Sequence, residues 1–343
     1  PAARAGAGGR PRSGHHAARR APSCGIVVPV PPRPSLSTPG TGLLAPRVLP
    51  SVAIASAAVC TAVLSTIGLG EVPAAAGLAT TGYHLLTAGL LAAAYLGAGA
   101  GYAGLVCAWL NVPRGTASRG RPPARPLLQT ALGALLMLWL SHALGWSGLM
   151  SGPRAPMVAM ASVGAGWLLL IVQLARAARP RHGAEARAPA DFAWLGLLMS
   201  APALGVLLVA ACNPPGWLWP SEAGGFDALS YHLPLAMEWA QQGLRPLEHN
   251  VYSFLPSYVE AGYLHLDALL GGGGEDRAAG GLLAGEGTGF IACQLLHAHL
   301  TVLGGLCVGA AAHRVARRQG ASTALATVVG AVAAALVIST PWS

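Results

Sequence analysis

Residues 127–149 read LLQTALGALLMLWLSHALGWSGL, with no Asp, Glu, Lys or Arg among them. A bilayer's hydrocarbon core is about 30 Å thick and needs roughly 20 apolar residues in a helix. This stretch is long enough, and its composition leaves lipid as its natural solvent. On either side of it, six more apolar runs fall at 51–70, 79–110, 157–175, 192–212, 289–312 and 321–339, and none holds Asp, Glu or Arg. The run 79–110 is too long for one upright helix and too short for two. In the run 192–212, Pro202 predicts a kink, because proline cannot donate to the preceding turn.

The whole composition agrees. The chain is 53% hydrophobic and only 10% charged, where soluble domains carry about 25% charged residues. The expected fold is therefore all-α: a polytopic integral membrane protein of about seven transmembrane helices with one large extracytoplasmic loop. The expected organisation is a disordered basic arm at 1–50 and five helices over 51–212. The loop follows at 213–287, and two more helices over 288–343. The start at Pro1 and the stop just after an apolar run suggest truncation. Five of the six cysteines lie in or beside apolar runs, which argues against a disulfide framework.

The net charge of +9 comes from 21 basic residues that are all Arg. The absence of Lys points to GC-rich coding, typical of a bacterium. Mapped onto the chain, the charge is a topology signal and not a nucleic-acid footprint. Eighteen arginines lie in the amino-terminal arm and in the loops 113–126, 176–188 and 313–320. Only Arg154, Arg245 and Arg277 lie in loops of opposite parity. The positive-inside rule then predicts a cytoplasmic amino terminus in a bacterial inner membrane.

The loop 213–287 carries nine of the twelve acidic residues. It also holds aromatic residues suited to a membrane interface, Trp217, Trp219, Tyr231, Trp239, Tyr252, Tyr258 and Tyr263. Two short amphipathic helices are expected in it. One runs from near Pro234, a residue favoured in the first turn, to Gly243. The other opens with Ser257-Tyr258-Val259-Glu260, a capping-box pattern, and ends before Gly271. Both are expected to lie on the bilayer surface. In the second apolar run, Gly97 and Gly101, with Ala100 and Gly104, form a small-residue stripe that fits close helix packing, with a dimer face as the alternative.

The segment Phe226-Asp227-Ala228-Leu229-Ser230-Tyr231-His232-Leu233-Pro234, followed by Glu238-Trp239, Gly243 and Asn250-Val251-Tyr252-Ser253, resembles the first extracytoplasmic loop of the GT-C membrane glycosyltransferases. The likeness is to the branch of protein O-mannosyltransferases and aminoarabinose transferases and covers roughly 226–270. It implies transfer of a sugar from a polyprenyl-phosphate carrier to an acceptor at the outer membrane face. The partners implied are a lipid-linked donor and membrane lipids, with no nucleic acid. Asp227 would be the catalytic carboxylate, acting as general base or orienting the acceptor. His232 would orient Asp227 or bind a metal with it, Arg245 would meet the donor phosphate, and Tyr231 would line the substrate site. The cofactor is open, with a divalent cation as the candidate. The chain departs from the family in having Ala228 where many relatives carry a second acid, and in the four helices preceding the run at 192–212.

Each of these residues has a plainer reading. Asp227 could be a solvated carboxylate, His232 a surface histidine, and Arg245 a partner for Glu248 or a lipid headgroup. Glu260 reads first as a helix cap. Gln294, His297 and Thr301 share one helix face and read as a bundle-facing polar stripe or a proton relay. His84 and His142 read as polar contacts between helices. No P-loop, dinucleotide fingerprint, HExxH or GxSxG is present. The alternatives to a transferase are a polytopic transporter and a non-catalytic membrane scaffold or sensor.

Overall fold

Long apolar runs without charge have one way to satisfy their backbone in lipid, and that is to become helices. The computed structural model describes residues 48–67, 74–110, 124–178, 191–213, 232–255, 257–270 and 288–340. They form α1 (Leu49–Ile67), α2 (Ala74–Leu86), α3 (Ala88–Trp109), α4 (Ala124–Trp146), α5 (Ala155–Ala178), α6 (Asp191–Met199), α7 (Ala201–Ala211), α8 (Leu233–Gln242), α9 (Tyr258–Leu269), α10 (Thr288–Arg318) and α11 (Thr323–Ile338). Among the described residues there is no β-strand. The arm at 1–47 and the loop residues 214–231 and 271–287 lie outside them.

Five helical stretches are long and apolar enough to cross a bilayer: Leu49–Thr66, Gly77–Trp109, Pro126–Trp146, Ala155–Arg176 and Gly289–Arg318. Their outward surfaces are those of a protein solvated by lipid. On α5 alone, Met157, Met160, Leu168, Ile171 and Leu174 are all exposed, far more apolar surface than a soluble helix presents. The chain is thus an all-α protein of the membrane-embedded class.

Among the described residues the spans number five, or six with a bent pair, against the seven expected. The run at 192–212 becomes α6 and α7, bent by 71° at a short break, and a sixth crossing exists only if that pair is one broken span. The bend falls at Ser200, just before Pro202, which cannot donate to the turn before it. The run at 321–339 becomes α11, whose 16 residues reach only about 24 Å at 1.5 Å per residue, short of a full crossing. The run at 79–110 stays one stretch through a distortion at Thr87. There the backbone bonds Thr87 N–H to Tyr83 O at 2.9 Å and Leu91 N–H to Thr87 O at 3.1 Å carry on unbroken.

α3 is the centre of the packing, and its small residues are the reason. A Cβ placed on Gly99 would lie 2.3 Å from the carbonyl oxygen of Gly133 on α4. On Gly97 and Gly104 it would meet Trp167 and Gln173 of α5. The small-residue stripe is therefore used inside the chain, where it brings three backbones together. Gln129 Nε2 donates to Ala100 O at 2.8 Å and to Gln173 Oε1 at 3.0 Å, and Gln173 Nε2 donates to Gly101 O at 2.7 Å. α10 packs on α3, α4, α6, α7 and α11, while α1 packs on α6 and α7.

These contacts also orient the helices. Tyr95 meets Ser141 while Ala100 meets Gln129, so α3 and α4 are antiparallel. Ala94 meets Trp167 while Gly101 meets Gln173, so α3 and α5 run the same way. The end of α7 lies beside the start of α10, where Gln294 donates to Asn213 O at 2.8 Å. A Cβ on Gly89, near the start of α3, would touch Leu295, near the start of α10, so α10 runs with α3, and Arg176, Arg314, Arg317 and Arg318 share one end of the bundle. The α4–α5 turn lies at the other end, and α8 and α9 pack there.

Candidate functional site

α8 and α9 form the one part of the described chain where charged groups enter the core. α8 starts at Leu233 with Pro234 in its first turn and stops at Gly243, where φ is 79°, a conformation glycine adopts without strain. Trp239 anchors it, fully buried, with Nε1 donating to Arg245 O at 2.8 Å. Gly145 at the end of α4 leaves room for Leu244 and Leu264. Met150, Ala155 and Ala159 complete the packing that fixes α8 and α9 to the α4–α5 turn.

α9 is not the surface helix expected from its apolar and aromatic face. Every residue from Glu260 to Ala268 is buried, against α3, α4, α5, α8 and α10. Its apolar positions meet the bundle, and its four polar positions, Glu260, Tyr263, His265 and Asp267, are buried with them. Polar groups taken out of water need partners. For Glu260, Tyr263 and His265 the structure supplies partners from distant parts of the chain.

The carboxylate of Glu260 hydrogen-bonds and ion-pairs with the imidazole of His232 at the head of α8. Glu260 is buried and His232 half-exposed, so the pair sits at the rim of the bundle. The capping-box reading of Glu260 is corrected here. α9 does begin at Tyr258 after Ser257, yet Ser257 makes no side-chain cap and Glu260 turns to His232 instead. Tyr263, one turn further along α9, hydrogen-bonds His297 Nδ1 of α10 at 3.3 Å. His297 in turn lies within electrostatic reach of both His232 and Glu260. Burial, with Cys293 and Glu260 adding to it, holds the Tyr263 hydroxyl well above its usual pKa, so it stays protonated.

A second polar group lies deeper. His265 is fully buried, with Nδ1 2.9 Å from Ser141 Oγ of α4 and Nε2 3.1 Å from Ser162 Oγ of α5. Tyr95 of α3 extends the chain, its hydroxyl 2.8 Å from Ser141 Oγ and its ring edge-on to His265. Burial pushes the His265 imidazole down to about 4, so it is neutral near pH 7. One residue of α9 thereby ties together three spanning helices.

Of the residues singled out in the sequence, His232 is brought into this cluster. Asp227 and Tyr231 lie outside the described residues. Arg245 is exposed and bonds Gln242 Oε1 through Nη2. Among the described residues it forms no ion pair, and the exposed pair nearby is Glu238 with His249 at 2.9 Å. Of the stripe on α10, Gln294 and buried Thr301 face the bundle, while His297 bonds Tyr263 from an exposed position. His142 joins α4 to α9 through its ring, packed on Tyr258 as well as on Trp146, and the His84 ring packs on its neighbour Tyr83. The buried Nδ1 atoms of both have no hydrogen-bond partner among the described residues.

Sequence reading missed His265 altogether and undervalued Glu260. The available signal was the density of Glu, Tyr, His and Asp within a helix whose other positions are apolar. Among the described residues no three His, Cys, Asp or Glu side chains gather to hold a metal ion. No known family, curated protein or solved structure matches this chain.

Proposed function

We propose that the chain is a membrane glycosyltransferase of the GT-C type, moving a sugar from a polyprenyl-phosphate carrier to an acceptor at the outer face of the membrane. The observation that carries this reading is the Glu260–His232 pair. Its histidine lies five residues after Asp227, in the segment that resembles the family's first outer loop. A carboxylate and an imidazole held at the rim of an apolar bundle suit proton movement to and from an acceptor hydroxyl. In this reading Asp227 takes the acceptor proton, and His232, oriented by Glu260, lies close to it in the chain. Tyr231 lines the acceptor side, and Arg245 offsets charge on the departing phosphate. A divalent cation, where one is used, would be held by Asp227 with His232 and would offset charge on the phosphate.

The arginine distribution supports an inner-membrane protein with a cytoplasmic amino terminus. The packing of α8 and α9 at the end away from Arg176, Arg314, Arg317 and Arg318 supports the same arrangement. The reading is tested by reconstituting the full-length protein with a radiolabelled polyprenyl-phosphate sugar and following label into acceptor. Asp227→Asn is expected to lower transfer by about 10²–10⁴-fold, the usual span for a general base. Undiminished transfer would remove Asp227 from its role. Solute flux in proteoliposomes without any transfer would replace the reading with a transporter.

A further inference from the structure

Between α8 and α9 the chain makes a 3-10 turn, Val251–Phe254. Three apolar side chains at this turn point away from the protein: Val251 is 72% exposed, Phe254 64% and Leu255 59%. Flexible loops expose apolar residues in passing, but this turn is held rigidly. Asn250 caps it, accepting from Tyr252 N–H at 3.1 Å. Ser253, its buried member, accepts from Leu247 N–H through Oγ at 2.7 Å and lies 2.7 Å from Asn250 O. With Ser253 locked inward, the remaining positions of a three-residue-per-turn helix must face out.

The exposed patch follows an outward apolar stripe on a helix long enough to cross a bilayer. Leu135, Trp139, His142 and Trp146 are spaced four, three and four apart and so form one outward stripe on α4. Leu135, Trp139 and Trp146 are each exposed. At its end the stripe passes through His142, stacked on Trp146, to Tyr258, whose ring centre lies 4.7 Å from that of His142. Tyr258 opens α9 and adjoins the turn. Just before the turn the chain is polar, with His249 paired to Glu238 and Glu248 exposed. A hydrogen-bonded apolar tip that follows an outward apolar stripe, with charged groups next to it in the chain, is what an interfacial membrane contact looks like.

We propose that Val251, Phe254, Leu255 and Tyr258 form a lipid-interface anchor, seated in the headgroup and upper acyl region of the leaflet at this end of the bundle. The surface helix expected from sequence is thereby replaced by a surface turn. α9 goes into the protein, and the turn before it goes into the lipid. The anchor pins α8 and α9, and with them the Glu260–His232 pair, at a fixed depth. The inference stands whether or not the protein transfers sugar.

The test places the photoreactive residue benzoylphenylalanine at single positions of the full-length chain, in vesicles of phosphatidylethanolamine and phosphatidylglycerol. After irradiation, mass spectrometry identifies what each position has captured. Positions 251 and 254 are expected to give phospholipid adducts in a yield comparable to position 135 in the lipid-facing stripe, and position 248 to give almost none. All are exposed, and two tip positions keep the result independent of either variant's folding. Capture of a second copy of the chain at 251 and 254 overturns the proposal, since the patch would then be a protein interface. So does absence of lipid adducts there while position 135 yields them, or an equal yield at 248.

Discussion

Glu260 on α9 bonds His232 at the head of α8, across 28 residues of chain. That contact places a buried carboxylate beside the segment in which the family resemblance lies. Removing Glu260 costs the net worth of a hydrogen bond, because the half-exposed His232 can turn to water. Glu260→Ala should therefore lower unfolding stability by about 0.5–1.5 kcal/mol, read as a drop in thermal midpoint in detergent. Glu260→Gln, which keeps an acceptor, should recover most of the loss. An unchanged midpoint for the alanine variant would show that the pair contributes nothing to the fold.

Gly101 on α3 faces Gly166 on α5, and a Cβ there would lie 1.9 Å from the Gly166 carbonyl oxygen. Backbone cannot give way as a side chain can, so the helices must separate. Gly101→Ala should cost about 1–3 kcal/mol or more, the range for overpacking. Gly82 on α2 is open by contrast, with nothing within 4 Å of where a Cβ would sit. Gly82→Ala should be neutral or gain up to about 1 kcal/mol of helix propensity. Equal effects at the two sites, in parallel denaturation curves, would refute close approach.

Gln129 and Gln173 bond each other as well as the backbone of α3. A double-mutant cycle with Gln129→Ala and Gln173→Ala should return a coupling of about 0.6 kcal/mol, the average for polar contacts between membrane helices. Additive single effects would mean that each side chain acts only through its carbonyl on α3.

His265 gives a pH dependence whose sign is fixed. Its imidazole titrates near 6.5 when unfolded and about 4 when folded. Below pH 6.5 the unfolded chain binds a proton that the folded chain refuses, so stability falls as pH drops from 6.5 to 4 and is level above. At 1.36 kcal/mol per unit the full loss approaches about 3 kcal/mol. His265→Gln should flatten this part of the profile, measured by unfolding between about pH 7 and about pH 4.5. A variant as acid-sensitive as the parent would assign the slope elsewhere.

The helices were largely legible because the bilayer imposes its own length and charge rules. The uncharged run 127–149 became α4, and the small-residue stripe from Gly97 to Gly104 did bring helices together. Gly243 ended α8, as a residue that tolerates positive φ should. The 71° bend was foreshadowed by Pro202, but its size depends on α6 packing against α11 while α7 packs against α1. The shortfall of α11 was not foreseen, since an apolar run can extend past the helix it contains.

The site was less legible. Glu260, His265 and Asp267 look like the wet side of a surface helix, because charge density in sequence usually means water. The partners of Glu260 and His265 explain the difference. Ser141 and Ser162 stand 124 and 103 residues from His265, and His232 stands 28 from Glu260. No local pattern announces a contact over such separations.

By itself, the sequence determined that this protein is helical and built for lipid, since uncharged runs of that length have no other stable solvent. The spread of arginine also predicted which loops share a side. Only the tertiary structure decided that α9 is interior and the turn before it exterior. That choice depends on whether hydroxyls and an imidazole on other helices lie within hydrogen-bonding distance, a condition met only once the bundle is assembled.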